Sequence, residues 1–65
     1  MFEPVMYIGG VYKHGQIVEL VEDLGGYILQ KNIMQTEVVL LILVPIEDMA
    51  IVEPKAAELL GKLTR

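Results

Sequence analysis

A chain of 65 residues with no cysteine, a single histidine and a net charge of −4 excludes several kinds of protein at once. A domain this small buries only roughly 60% of the surface its unfolded chain exposes, and it has neither a disulfide nor a His/Cys zinc site to support it, because carboxylates alone suit harder ions. The five basic residues, Lys13, Lys31, Lys55, Lys62 and Arg65, are scattered, so no positive stripe offers a grip on phosphate backbones and no nucleic-acid partner is expected.

The chain opens with Glu3 and Pro4 where a secretory signal carries positive charge ahead of an apolar core, so a cytoplasmic protein is expected. Residues 4–12, PVMYIGGVY, are rich in β-branched and aromatic types and predict a strand that stops or bends at Gly9 and Gly10. Residues 16–24, QIVELVEDL, predict a helix: at 100° per residue Ile17, Val18, Leu20, Val21 and Leu24 fill one arc, and Glu19, Glu22 and Asp23 the other. Gly25 and Gly26 supply its C-terminal cap.

A second strand is expected over 27–34 and a third over 37–44, joined tightly at Gln35 and Thr36 without an Asn-Gly or Asp-Gly signature. The third strand holds the longest apolar run, Val38 to Val44, far short of the roughly 20 residues that a spanning helix needs. Pro45 ends it. Within PIEDMAIVEP, the piece Met49–Val52 reads either as a short edge strand or as a helical turn, with Pro54 barring one unbroken helix. From Pro54 onward a helix is expected, with Ala56, Leu59, Leu60 and Leu63 on one face and Lys55, Glu58 and Lys62 on the other.

One α+β domain spanning residues 1–65 follows: a small two-layer sandwich of ferredoxin-like type in the order strand, helix, strand, strand, helix, with the fourth strand missing or swapped unless Met49–Val52 supplies it. In the third strand Val38, Leu40, Ile42 and Val44 point one way and Val39, Leu41 and Leu43 the other. Helices cover one side only. Three such side chains left in water would forfeit roughly 1.5–3 kcal/mol each, against a stability of ~5 kcal/mol for a domain this size. A homo-oligomer is therefore expected, with Val39, Leu41, Leu43 and Tyr7 at the interface; the alternative is a cover supplied by another domain of a longer protein.

The run GGVYKHGQ at 9–16 is not a nucleotide P-loop, since Gln16 and Ile17 stand where lysine and a hydroxyl residue are required. The dinucleotide fingerprint fails too, with glycines at 9, 10 and 15. Lys13, His14, Gly15 and Gln16 lie where helix amides attract anions, and they are the candidate contacts for a small anionic ligand. Serine and cysteine are absent, which removes the usual nucleophiles. His14 remains as an acid/base for the rival reading, an enzyme assembled at a subunit interface. No cofactor and no catalytic residue is expected in the leading one.

The stretch YKHGQIVELVEDLGGYILQKNIMQTEVVLLILVP, residues 12–45, resembles the C-terminal domain of the IMPACT/YigZ family. The likeness rests on Tyr12, a glycine opening a helix, the Leu24-Gly25 helix end, a strand, and a valine-rich strand closed by Val44-Pro45. With Gly15 between first strand and helix, the layout is also similar to ACT-type regulatory domains. These resemblances imply a ferredoxin-like accessory or ligand-sensing module. Together with the residue patterns they give the expected function: a non-enzymatic, self-associating interaction or regulatory module. A third reading is an antitoxin-like protein-binding module in which VYKHGQIVEL forms a hairpin.

Overall fold

A computed structural model describes all of residues 1–65. Four strands, β1 (Phe2–Gly10), β2 (Tyr27–Met34), β3 (Glu37–Pro45) and β4 (Lys62–Thr64), form one antiparallel sheet in the order β2-β3-β1-β4. Helices α1 (His14–Asp23) and α2 (Met49–Glu58) join β1 to β2 and β3 to β4, each entered through a 3₁₀ turn, Val11–Lys13 and Ile46–Asp48. This is the βαββαβ order of a ferredoxin-like sandwich. The fourth strand that the sequence left missing or swapped is present in the same chain, after α2 rather than in Met49–Val52.

The helix layer lies on the face that carries Val38, Leu40, Ile42 and Val44 from β3 and Val5 and Tyr7 from β1. These meet Ile17 and Val21 of α1 and Met49, Val52 and Ala56 of α2 in one cluster of eleven buried residues. The α1 stripe follows the predicted period. In α2 the stripe is Met49, Val52, Ala56 and Leu59, not the set Ala56, Leu59, Leu60 and Leu63 expected for a helix starting at Pro54. Pro54 sits inside the helix. It withholds one amide from the carbonyl of Ala50, and Ala50 is exposed, where the free carbonyl costs less than it would in the core. Leu60 lies past the helix end, and Leu63 belongs to β4, where it pairs with Tyr7.

Both helices end in the same hydrogen-bonded cap. Gly26 N–H donates to the Val21 carbonyl (2.8 Å) and Gly25 N–H to Glu22 (3.0 Å); Gly61 N–H donates to Ala56 (2.9 Å) and Leu60 N–H to Ala57 (3.0 Å). Neither helix is long and apolar enough to cross a membrane.

Candidate interaction face

The face of the sheet away from the helices is the candidate site. Residues opposite each other in antiparallel strands point to the same side, so the register lays this face out in rows. Asn32, Val39, Ile8 and Lys62 form one row; Gln30, Leu41, Met6 and Thr64 the next; Tyr27, Leu43 and Pro4 the third. Phe2 lies beyond the third row, and Glu37 beyond the first. Val39, Leu41, Leu43 and Ile8 are half-buried by their neighbours in the sheet, while Phe2, Met6 and Tyr27 are 43%, 40% and 58% exposed. Shelter within the sheet thus lowers the cost that the sequence assigns to Val39, Leu41 and Leu43, but an apolar surface still faces outward. Phe2 and Tyr27 close one end of it with ring centroids 5.7 Å apart, tilted at 46°.

Tyr7 is not on this face. It is 1% exposed and lies on the helix side, opposite Leu40. Its ring is held between two glycines: a Cβ on Gly9 would come within 2.5 Å of the Tyr7 hydroxyl, and one on Gly61 within 2.5 Å of the ring. Gly9 is therefore a packing residue inside β1 rather than a phosphate cradle, and the strand stops at Gly10, as the double glycine predicts. Burial raises the pKa of the Tyr7 phenol above its ordinary value by disfavouring the charged form.

The turn formed by Lys13, His14, Gly15 and Gln16 stands apart from the sheet face, at the start of α1. His14 turns back on the preceding 3₁₀ turn, its Nδ1–H donating to the Val11 carbonyl at 2.5 Å. No carboxylate lies within salt-bridge distance of it, so no acid/base pair forms within the chain. Gly15 and Gln16 are exposed, and Gln16 lines a shallow depression with Glu19, Leu20, Asp23 and Lys55. The antitoxin-like hairpin is overturned, because residues 14–23 are helical. Lys13 contributes instead to a cleft of about 170 Å³ between the 3₁₀ turn and the end of α2, lined by Gly10, Tyr12, Lys13, Glu58, Leu59 and Leu60. Glu58 accepts a hydrogen bond from Lys55 at 2.9 Å, and this bond, followed by the Lys55 charge, holds its carboxyl below the ordinary range. No cluster of three or more His, Asp or Glu residues suited to a metal occurs.

Fold and surface together define a small ferredoxin-like α+β protein with an apolar sheet face that its own helices do not cover. Over residues 2–65 the chain matches the model of the family described as methyl-coenzyme M reductase operon protein C, and it belongs to that family. It is also similar to an uncharacterised protein of Methanocaldococcus jannaschii, 35% identical over 63 residues that cover 97% of this chain and 20% of that protein. The chain thus spans about a fifth of the length of the curated relative it matches. The family shown is this one, where the sequence resembles IMPACT/YigZ and ACT-type domains.

Proposed function

We propose that this chain is a non-enzymatic interaction module of the methyl-coenzyme M reductase system, working by self-association through its open sheet face. The link to the reductase comes from the description of the family. The observation that carries the interaction role is the continuous apolar field of Phe2, Pro4, Met6, Ile8, Val39, Leu41, Leu43 and Tyr27 on the side that no helix covers. Covering such a surface releases ordered water and is favourable in proportion to its area. The edges of the sheet suit association less well. The β2 edge is interrupted by a bulge between Ile28 and Gln30 and carries Lys31, and β4 is only three residues long; both are features that discourage strand addition. Sedimentation tests the reading. The wild-type chain is expected to run above its monomer mass at micromolar concentration, and Met6→Lys, which places a charge at the centre of the face, to run as a monomer that is still folded.

A further inference from the structure

The two flanks of the open face differ in chemistry. The β2 side carries the amides of Gln30 and Asn32, and the β4 side carries Lys62 and Thr64. The two ends differ as well, with the Phe2–Tyr27 pair at one and the Glu37 carboxylate at the other. A face with four unlike borders discriminates between the ways a second copy can lie on it.

Resting on the self-association proposed above, we infer that a second copy packs on this face about a two-fold axis parallel to the strands. That operation carries β2 over β4 and β3 over β1 and leaves each residue's position along the strand unchanged. Asn32 of one copy then lies over Lys62 of the other, its amide oxygen placed to accept from the ammonium group, and Gln30 lies over Thr64. Val39 meets Ile8, Leu41 meets Met6 and Leu43 meets Pro4, so the apolar rows stack on one another twice. Tyr27 covers the part of β1 that β4 leaves unpaired, since β4 reaches only Met6 to Ile8. A second closed arrangement has its axis across the strands. It reverses the ends and lays Glu37 against Phe2 and Tyr27, which buries a carboxylate among aromatic rings without a partner. Strands of 9, 8, 9 and 3 residues, spaced ~4.8 Å apart and rising ~3.3 Å per residue, give a footprint of roughly 460 Å² per copy, about 900 Å² in all, the size of a small, reversible interface.

The absence of native cysteine makes the test clean. Asn32→Cys and Lys62→Cys are prepared separately, mixed, and treated with a bis-maleimide matched to the ~10 Å spacing of packed sheets. The mixture is expected to yield cross-linked dimer that neither variant yields alone. Self-cross-linking of Gln30→Cys, with none between Asn32→Cys and Lys62→Cys, places the axis across the strands and overturns the inference. A wild-type dimer in sedimentation with no cross-link from the mixture overturns the arrangement while leaving the self-associating module standing. A wild-type chain that sediments as a single 7.3 kDa species at micromolar concentration overturns both, because the occupant is then not a second copy.

Discussion

Leu60 occupies at the end of α2 the place that Gly25 occupies at the end of α1. Each is the left-handed residue of the same two-bond cap, with φ of 60° and 83°. Glycine adopts this conformation without penalty, whereas a side chain there is crowded by its own backbone at a cost of roughly 1–2 kcal/mol. Leu60 regains nothing by packing, since it is 91% exposed. Leu60→Gly is therefore expected to raise stability by about 1 kcal/mol after the larger unfolded-state entropy of glycine is deducted. Gly25→Leu is expected to lower it. Urea unfolding midpoints measure both.

That exchange of a glycine for a leucine also explains where the sequence was hard to read. The period of α1, the extent of β2 over 27–34 and most of β3 are carried by local pattern, because Gly25 and Gly26 close α1 visibly and Glu37 and Pro45 bound the aliphatic run. At α2 the local signals mislead. Leu60 and Leu63 continue the spacing of Ala56 and Leu59, so a cap residue and a strand residue pass for a helical face, while Pro54 hides the true stripe that starts at Met49. β4 has three residues and one inward side chain, Leu63, too little for a two-residue period to register. Tyr7 posed a different difficulty. Both faces of β1 are apolar, and only the room left by Gly9 and Gly61 decides which of them takes the ring.

Pro54 offers a second stability test. A proline in a helix interior costs ~3 kcal/mol relative to alanine, of which its stiffening of the unfolded chain returns up to ~1 kcal/mol. Pro54→Ala restores the amide that α2 lacks opposite the Ala50 carbonyl. Because Pro54 is exposed and packs on nothing in the core, the substitution is expected to stabilise the chain by about 2 kcal/mol, seen as a later unfolding transition and a stronger helical signal in circular dichroism.

Gly61 is expected to tolerate no larger residue. A Cβ there meets Cε1, Cζ and the hydroxyl of Tyr7 at 2.5–2.6 Å, so Gly61→Ala must shift either the ring or the start of β4. Forcing extra atoms into a packed core costs about 1–3 kcal/mol. Gly10→Ala is the matched comparison, because a Cβ at that position meets nothing within 4 Å and its backbone is already extended. The first variant is expected to unfold at clearly lower denaturant concentration than the second, which stays near wild type.

The buried phenol of Tyr7 predicts a pH dependence at the alkaline end. Its pKa in the folded chain is raised above the ordinary 10.0 by desolvation. A group with a raised folded-state value favours folding while protonated, so its contribution is fully present below pH 10 and is lost as the pH rises toward and through the folded-state value. Unfolding free energies measured in steps above pH 9 are expected to fall more steeply for wild type than for Tyr7→Phe, which has no proton to lose. Parallel curves would mean that the hydroxyl reaches water freely.

The Phe2–Tyr27 pair separates the stability of one chain from the association of two. The rings come from the first residues of β1 and β2, which are not neighbours in the sheet, and they meet across the β3 strand between them. An aromatic pair contributes ~0.5–1.5 kcal/mol beyond its buried area, but both rings are about half exposed and so lose little when one is removed from an isolated chain. Tyr27→Ala is therefore expected to lower the stability of the monomer by no more than about 1 kcal/mol while weakening self-association at least tenfold, since the ring lies where the second copy is proposed to pack. Urea unfolding of a dilute sample, where the chain is monomeric, gives the first quantity, and sedimentation over a concentration series gives the second. If monomer stability falls while self-association is unchanged, Tyr27 serves the fold alone, and the face in contact lies elsewhere.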